Sequence, residues 1–314
     1  MTSTPFSARS TAAEVLAGVD LTGRRMIVTG GASGIGAATV RSLAAVGAEV
    51  TIATRDPGAA RGLIQELPGV RALPLDLADL DSVAAFVRDW SGPLDALVAN
   101  AGIMALPVRT LSADGWELQL ATNFLGHFAL VTGLHDGLSA AGHARVVTVS
   151  SGAQRGSAFD FDDPHFERRP YDPWTAYAQS KTADVLLALA LGRAWPGEGI
   201  TANSLAPGSI HTGLQRHLPP DTMRAWGAMD ADGNLVVPAH FKTPEQGAAT
   251  SVLLAASPLL AGVTGRFFED NQESAVVTDP AGSSTGVAAW AVDPDAADRL
   301  WQLAAKAVAD HPLP

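Results

Sequence analysis

Cysteine is absent from this chain of 314 residues. Its absence excludes disulfides, thiolate metal sites and a thiol nucleophile. The eight histidines show no paired spacing of the His-x-x-x-His kind, which a zinc-binding helix would require. The sequence therefore predicts no bound metal and a fold without covalent cross-links.

Positive charge and long apolar runs are also scarce. The formal net charge is -11, which argues against nucleic acid or an anionic membrane as a partner, although a local basic pocket is compatible with it. No apolar run is long enough to span a membrane, and residues 1–20 lack the apolar core of a signal peptide. We therefore expect a cytoplasmic protein whose partner is a small molecule, with no nucleic acid and no membrane involved.

What the chain does contain is a regular alternation of short apolar runs with helical stretches. The apolar runs predict strands that begin at Met26, Val50, Val70, Ala96, Arg145 and Ile200. Strands that alternate with helices are typical of a parallel sheet covered on both faces. The sequence thus predicts one α/β domain of Rossmann type with a doubly wound parallel sheet. Its core is expected at 21–265, followed by a C-terminal extension at 266–314.

Two segments interrupt this alternation. Residues 152–174 are rich in Asp, Phe, Arg and Pro, which predicts an irregular insertion. Residues 216–242 contain Pro219, Pro220 and Gly233, which favour a loop or short helices. Irregular segments of that length are usually functional lids or disordered. A terminal helix is expected near residues 295–309.

A glycine-rich segment follows the first predicted strand and opens a helix. The residues expected to hold a cofactor there are Gly30, Ser33, Gly34, Ile35 and Gly36. Glycines let the backbone turn tightly and approach a pyrophosphate, whose charge is favoured by the helix N-terminus. In this strand-turn-helix context the segment predicts dinucleotide binding.

The end of the second predicted strand indicates which dinucleotide is bound. An acidic residue at this distance from the glycines would bind the adenosine ribose 2′-hydroxyl of NAD. Here the strand ends at Thr54 and the next residue is Arg55. A guanidinium can pair bidentately with a 2′-phosphate, so Arg55 predicts NADP(H), although a solvated surface arginine is the simpler alternative.

One of the two tyrosines of the chain stands four residues before a lysine. In a helix, Tyr177 and Lys181 share a face one turn apart. A lysine ammonium beside a phenol lowers the pKa of the phenol and prepares it for proton transfer. Taken alone, this spacing more often forms an amphipathic surface pair. The other tyrosine, Tyr171, lies in the irregular insertion and is interpreted as a packing or substrate-wall residue.

Together these motifs resemble the classical short-chain dehydrogenase/reductase family over residues 21–265. The segment 29–36 matches the family's Thr-Gly-x-x-x-Gly-x-Gly motif, and further matches follow in the family's order. These matches are Asp76 with Leu77, the turn Asn100-Ala101-Gly102, then Asn123, Ser151, Tyr177 and Lys181, and finally Pro207-Gly208 with Ile210 and Thr212.

The resemblance implies an NADP(H)-dependent enzyme that interconverts carbonyls and alcohols. Tyr177 would donate its proton to a carbonyl oxygen that Ser151 hydrogen-bonds, and choosing Ser151 over Ser150 rests on the family pattern. Lys181 would lower the pKa of Tyr177 and bind the nicotinamide ribose. Asn123 would hold a water that relays protons, or it is merely a helix-interior asparagine bonded to backbone.

The resemblance also assigns cofactor contacts outside the glycine-rich turn. Asp76 and Leu77 would lie at the adenine, and the turn 100–102 would close the fourth strand beside the cofactor. Residues 207–212 would orient the nicotinamide carboxamide. A homo-oligomer, dimer or tetramer, is compatible with the family, although the insertion before one of the long central helices opposes that contact.

Within the family the chain is most similar to the retinol-dehydrogenase and WW-domain-oxidoreductase branch. The leader at 9–16 and the segment 53–56 carry that likeness, as does the gap of 26 residues from Ser151 to Tyr177. The chain shows no WW module and no membrane-anchoring segment, so we do not expect the partners or the retinoid specificity of that branch.

The substrate is expected to be an apolar, medium-to-large carbonyl compound or alcohol. Small-molecule pockets are mostly apolar with few polar groups, and the irregular segments supply suitable side chains. These are Phe159, Phe161, Phe166, Trp174, Leu214, Leu218, Met223, Trp226 and Met229. Ordinary loop packing is the alternative for each of them. Three histidines, His127, His211 and His217, are assigned no catalytic role.

Two other functions compete with this interpretation. Residues 282–286 fit Gly-x-Ser-x-Gly, the nucleophile elbow of serine hydrolases, with Ser284 at the centre and Asp293 and His311 following. An elbow needs a strand-to-helix turn within a sheet, and too little chain remains here to build a hydrolase. The second alternative is a non-catalytic NADP(H)-binding regulator on the same fold.

Overall fold

A central sheet of eight strands organises the computed structural model, which describes residues 1–309. Seven of its strands are parallel and the last is antiparallel to its neighbour, in the order β3-β2-β1-β4-β5-β6-β7-β8. These strands are β1 Arg25–Thr29, β2 Glu49–Thr54, β3 Val70–Pro74, β4 Ala96–Ala99, β5 Arg145–Val149, β6 Thr201–Ala206, β7 Phe267–Glu269 and β8 Gln272–Glu273. A separate parallel pair is formed by β9 Val276–Val277 and β10 Val287–Ala288.

Helices cover both faces of the sheet. They are α1 Ala12–Val15, α2 Gly34–Ala45, α3 Arg61–Glu66, α4 Leu80–Asp89, α5 Leu118–Leu120, α6 Gly126–Gly133, α7 His135–Ala141, α8 Pro173–Ala194, α9 Pro220–Ala225, α10 Pro244–Ala256 and α11 Pro294–Ala309. A π-helical turn, Ala121–Leu125, joins α5 to α6. Among these described residues, no helix is both long and apolar enough to cross a membrane.

The hydrophobic core is divided by the sheet into two layers. Successive strand residues point to opposite faces, so Ile27 and Leu97 enter one layer while Val28 and Val98 enter the other. The first layer is completed by α4, α6, α8 and α11, and the second by α1, α2 and α10. Because every central strand is buried on both faces, the strands appear in the sequence as unbroken apolar runs. The predicted doubly wound α/β fold is confirmed.

Two elements of the sheet lie beyond residue 265. β7 pairs in parallel with β6, and β8 folds back on β7 through a turn at Asp270 and Asn271. The sheet therefore includes part of the segment that the sequence analysis treats as an extension. β7 is only three residues long, which leaves too little apolar periodicity for a sequence pattern to reveal it.

The N-terminal residues contact the turn between β7 and β8 and the loop at 239–241. The Gln272 side chain accepts a hydrogen bond from the Thr4 backbone amide at 3.0 Å. The Asn271 side chain donates through Nδ2 to the Ser7 carbonyl at 2.8 Å. Arg9 donates to the carbonyls of Phe241 and Ala239. The leader thus fastens the β7–β8 turn and the 239–241 loop to the body of the protein.

Candidate active site

A cleft of 1140 Å³ opens at the carboxyl ends of the parallel strands. It straddles β1 and β4, where the strand order reverses direction, which is where doubly wound sheets bind their ligands. All the residues that the sequence assigned to cofactor binding line it, as do three of the four assigned to catalysis. They are Gly30, Ser33, Gly34, Ile35, Gly36, Arg55, Asp76, Leu77, Asn100, Ala101, Gly102, Ser151, Tyr177, Lys181, Pro207, Gly208, Ile210 and Thr212.

The glycine-rich turn brings two backbone segments closer than a side chain would allow. A Cβ on Gly36 would lie 2.4 Å from the Gly30 carbonyl oxygen and 2.7 Å from the Asn100 amide nitrogen. Gly30 itself has φ 65°, a left-handed conformation that glycine adopts without steric cost. Ser33 precedes α2 and makes no side-chain capping bond, so the first-turn N–H groups of α2 and the Ser33 hydroxyl remain available to an anion.

A buried hydroxyl ties this turn to the neighbouring strand. Thr29 Oγ1 accepts hydrogen bonds of 2.9 Å from the backbone amides of Asn100 and Ala101. The Asn100 side chain in turn donates to the Thr29 carbonyl at 2.9 Å. The ends of β1 and β4 are therefore locked together beneath the cleft.

His127, which the sequence left without a role, is the third member of this network. Its Nδ1 lies 2.8 Å from the Asn123 carbonyl oxygen and its Nε2 lies 2.9 Å from Thr29 Oγ1. Since a carbonyl can only accept, Nδ1 carries the proton and Nε2 accepts from the threonine. Burial lowers the pKa of His127 to about 4, with a further lowering from the Lys181 ammonium. The imidazole is a neutral bridge.

Asn123 lies in the π-helical turn, immediately behind the wall of the cleft. Its Oδ1 accepts from the Ile103 amide at 2.9 Å, and its Nδ2 donates to the Ile103 carbonyl at 3.0 Å and to Ser180 Oγ at 2.9 Å. Asn123 therefore bonds the backbone of a distant segment at Ile103, and its proton-relay role stays a prediction. π-Helical turns are rare and often mark functional sites.

Tyr177 and Lys181 enter the cleft from the first turns of α8. Asp172 caps this helix by accepting from the Thr175 amide, and Pro173 begins it. Both Tyr177 and Lys181 are only 4% exposed, and the Lys181 ammonium lies 5.8 Å from the centre of the Tyr177 ring. They therefore face the site, and the surface-pair alternative is wrong.

Comparison with known proteins identifies the family. A family model described as short chain dehydrogenase matches residues 24–222. A relative from Streptomyces lividans, named a probable oxidoreductase, is 64% identical over 292 residues that cover 91% of this chain and 98% of the relative. The chain belongs to the short-chain dehydrogenase/reductase family. It is an oxidoreductase of that family, whose members bind nicotinamide cofactors.

Two further comparisons bear on the branch and the fold. Human retinol dehydrogenase 14 is 35% identical over 303 residues, covering 90% of this chain and 85% of its own, which confirms the likeness to the retinol-dehydrogenase branch. A crystal structure of a protein from Mycobacterium paratuberculosis matches with a TM-score of 0.74 at 31% identity, covering 96% of this chain and 98% of that one. This oxidoreductase thus shares its fold with a solved structure over nearly its whole length.

The acidity of Tyr177 in this short-chain dehydrogenase/reductase depends on burial as well as on Lys181. Burial raises the pKa of the Tyr177 phenol, and with a smaller contribution from Asp184 it outweighs the lowering by the Lys181 ammonium and the Ser151 hydrogen bond. Lys181 thus lowers the pKa of Tyr177 as predicted, but the effect of burial is larger. The physical reason is the loss of hydration at a fully enclosed phenolate.

The lysine has a partner that no motif indicated. Lys181 Nζ lies 2.8 Å from Asp184 Oδ2 and donates to the Val149 carbonyl at 2.9 Å. Burial lowers the pKa of Lys181, but Asp184 and Tyr177 together raise it further, so the net shift is upward. The lysine remains an ammonium.

The cofactor end of the cleft has an unpaired cation at its rim. Arg55 is exposed and makes no ion pair within the part of the chain that the structure describes. Asp76 is held by its own turn, since its Oδ1 accepts from the Ala78 amide at 3.0 Å. At the opposite end, the Lys242 backbone amide donates to the Ser209 carbonyl of the 207–212 loop at 2.8 Å, and the Lys242 ammonium lies 2.6 Å from Asp270 Oδ1.

The substrate end of the cleft is apolar and aromatic. Of the side chains expected there, Trp174, Leu214 and Trp226 line the cleft, and the two indoles meet edge to face with ring centres 5.5 Å apart. Leu218 packs in the cluster beside Tyr177. The cleft also contains residues that the sequence did not single out, among them Met104, Leu106, Gln215, Arg216, His240 and Phe241. His217 lines it as well.

Several expected wall residues lie elsewhere. The expectation is wrong for Phe159, Phe161 and Phe166: the first two pack on each other, with Arg299 over Phe161, and Phe166 packs under Arg169 and against Tyr171. Their role is to hold the insertion on the body of the protein.

Met223 and Met229 pack with Phe241 behind the cleft. His211 makes a hydrogen bond of 2.5 Å with the Val236 carbonyl.

Tyr171 is a packing residue, which agrees with the first of the two interpretations from sequence. Its hydroxyl donates to Glu117 Oε1 at 3.2 Å and accepts from Gln119 Nε2 at 2.9 Å. Glu117 is buried and Gln119 also accepts from the Ala105 amide at 2.7 Å. This group fixes the insertion against α5, outside the cleft.

The serine-hydrolase motif has no elbow around it. Ser284 is an exposed turn residue between β9 and β10, and no helix follows it directly. Arg155 donates to its carbonyl at 2.7 Å and pairs with Glu269 at 3.2 Å, so the turn serves to brace the loop after Ser151. His311, the third residue of that hypothesis, lies outside the described residues.

Proposed function

We propose that this protein is an NADP(H)-dependent oxidoreductase that interconverts a carbonyl group and an alcohol on an apolar, medium-to-large substrate. The observation that carries the proposal is the convergence of Tyr177, Lys181 and Ser151 in one cleft with the glycine-rich turn. A proton donor and an anion-binding helix start thus face the same space.

The cleft suits a dinucleotide at its pyrophosphate and adenosine ends. The backbone approach at Gly36 and the uncapped Ser33 supply N–H donors without side-chain obstruction. Arg55 supports the phosphorylated form, because an unpaired guanidinium beside the adenosine position would pair with a 2′-phosphate. When bound, the nicotinamide supplies the hydride chemistry.

The reacting carbonyl would lie between Tyr177 and the tryptophan pair. Tyr177 donates its phenolic proton to the carbonyl oxygen, and Ser151 donates a hydrogen bond to the same oxygen as negative charge develops there. The Lys181 ammonium stabilises the phenolate that remains and is available to ribose hydroxyls. Asn123 fixes the wall at Ile103 through two hydrogen bonds, and its relay role stays a prediction.

The apolar wall supports the substrate class. Trp174, Trp226, Leu214 and Met104 surround the space beyond Tyr177. Desolvated aromatic surface binds apolar ligands and leaves few polar groups to orient them.

An assay of NADPH oxidation with a panel of ketones, aldehydes and quinones tests the proposal. Tyr177→Phe should lower kcat by roughly 10²- to 10⁴-fold because the proton donor is lost, while NADPH affinity stays unchanged. A Tyr177→Phe variant as fast as the parent would contradict the mechanism. Binding of NADPH without turnover of any panel member would favour the non-catalytic regulator.

The cofactor preference has its own test. Arg55→Asp should weaken NADPH binding relative to NADH by roughly ten- to hundredfold, the value of one charge-assisted hydrogen bond. Arg61→Asp is the matched control, since it makes the same charge change on α3 outside the cleft. An unchanged ratio of the two affinities in Arg55→Asp would remove the NADP(H) assignment.

A further inference from the structure

We propose that Asp184 is a positioning residue for catalysis, which holds Lys181 in place beside Tyr177 and opposes the charge of the ammonium there. The inference deepens the proposed function and rests on it where it takes Tyr177 as the proton donor. None of the motifs in the sequence includes Asp184.

The contact is built into α8. Asp184 follows Lys181 by three residues and thus lies on the same face of the helix, one turn further into the protein. Asp184 is 3% exposed and Lys181 4%. Their charged atoms are 2.8 Å apart, and the second bond from the ammonium goes to the Val149 carbonyl. An ammonium has three donors, so one donor remains for the site.

Within residues 1–309, neither Lys181 nor Asp184 forms an ion pair with any group but the other. From α6, His127 faces Lys181 as a neutral imidazole. On the elements packed against this part of α8, Arg155 is paired with Glu269 and Arg145 donates to the Ser257 carbonyl at 2.7 Å. The groups that titrate against one another here are therefore Tyr177, Lys181 and Asp184.

Their charges oppose each other at the phenol. A buried ammonium favours the phenolate, whereas a carboxylate behind it favours the neutral phenol. Burial makes the largest contribution to the pKa of Tyr177 and raises it. Lys181 lowers this pKa, and Asp184 raises it. The carboxylate thus reduces the lowering of the phenol pKa by the lysine while it holds the lysine in the site.

This arrangement has a consequence for the two directions of the reaction. Carbonyl reduction needs the neutral phenol, which stays available through neutral pH. Alcohol oxidation needs the phenolate, so its rate should rise only on the alkaline side. Removing the carboxylate should move that rise to lower pH.

Ultraviolet titration of the phenolate measures the effect directly and needs no substrate. The chain has only two tyrosines, and the signal lost in Tyr177→Phe belongs to Tyr177. Burial and the nearby Glu117 raise the pKa of the other one, Tyr171, well above its ordinary value. In Asp184→Asn the Tyr177 transition should move down by roughly one pH unit.

A surface carboxylate and a conservative variant serve as controls. Asp298 on α11 forms an exposed ion pair with Arg193 at the end of α8, and Asp298→Asn should leave the Tyr177 transition in place. Asp184→Glu retains the charge and should restore the transition toward that of the parent. An unmoved or raised transition in Asp184→Asn would overturn the inference.

Two further readouts keep the test decisive. If Asp184→Asn does not fold, Lys181→Met is compared with the double variant Lys181→Met/Asp184→Asn, in which the Tyr177 transition should lie lower because the carboxylate is gone; equal transitions in the two variants would overturn the inference. Where the substrate panel gives turnover, the pH profile of alcohol oxidation should move with the titration. If the panel gives none, the proposed function fails while the titration still decides the role of Asp184.

Discussion

The two ends of the cleft are held together in different ways. At the cofactor end, backbone atoms of β1, β4 and the start of α2 meet directly, with a Cβ on Gly36 excluded by the Gly30 carbonyl. At the substrate end, side chains from distant segments meet, as in the contact of Trp174 with Trp226. The first end therefore depends on backbone geometry and the second on side-chain identity. Substitutions should damage the two ends in different ways.

His127 offers the largest test of the backbone end. In the unfolded chain, His127 binds a proton below about pH 6.5, its ordinary range. In the folded protein, the imidazole stays neutral down to about pH 4. Stability contributed by the neutral imidazole is therefore complete above pH 6.5 and is lost as pH falls toward 4. The loss should be roughly 3 kcal/mol, measured by denaturant unfolding across this range.

The same measurement on His127→Asn isolates the histidine from the carboxylates that titrate nearby. The variant should be less stable at pH 7, because the bridge from Thr29 to Asn123 is broken, and its stability should fall less steeply with acid. Equal slopes for the parent and His127→Asn would show that the imidazole is not a buried neutral bridge.

Gly36→Ala tests the close backbone approach. The added methyl group forces the Gly30 carbonyl and the Asn100 side chain apart, and such overpacking costs about 1–3 kcal/mol. NADPH affinity should fall by roughly tenfold or more, as measured by titration of cofactor fluorescence.

A glycine in open space provides the matched control. Gly62 lies in α3 with no atom within 4 Å of its Cβ position and with no left-handed backbone. Gly62→Ala should leave NADPH affinity unchanged and leave stability equal or slightly higher. If both alanine variants bind NADPH as the parent does, the backbone approach is not what holds the cofactor.

Trp226→Ala tests the side-chain end and should have the smallest effect. Loss of the indole pair with Trp174 removes about 0.5–1.5 kcal/mol of aromatic contact. KM for apolar substrates should rise by roughly twofold to tenfold while NADPH affinity is kept. Leu259→Ala, an exposed apolar residue outside the cleft, should change neither quantity. A loss of NADPH affinity in Trp226→Ala would erase the distinction between the two ends.

The difference between the two ends also explains which expectations were correct. The glycine-rich turn and the strands β1 to β6 follow from local patterns, because period-2 burial and a tight turn depend on neighbouring residues. Tyr177 and Lys181 share a helix, so their common face was predictable from spacing alone. In contrast, Phe159, Phe161 and Phe166 resemble wall residues by composition but pack on the body of the protein. Composition does not say which side of an irregular segment faces the cleft.

The sequence by itself determined the doubly wound fold, the glycine-rich turn and the residues that share one face of α8, since each depends on short-range periodicity or backbone freedom. Only the tertiary structure decided the surroundings of those residues. It buried Lys181 and Asp184 together, placed His127 between Thr29 and Asn123, and brought the tryptophan pair beyond Tyr177. Burial and long-range contact set the charge and acidity of the Tyr177–Lys181 pair, and neither is written in the spacing of its residues.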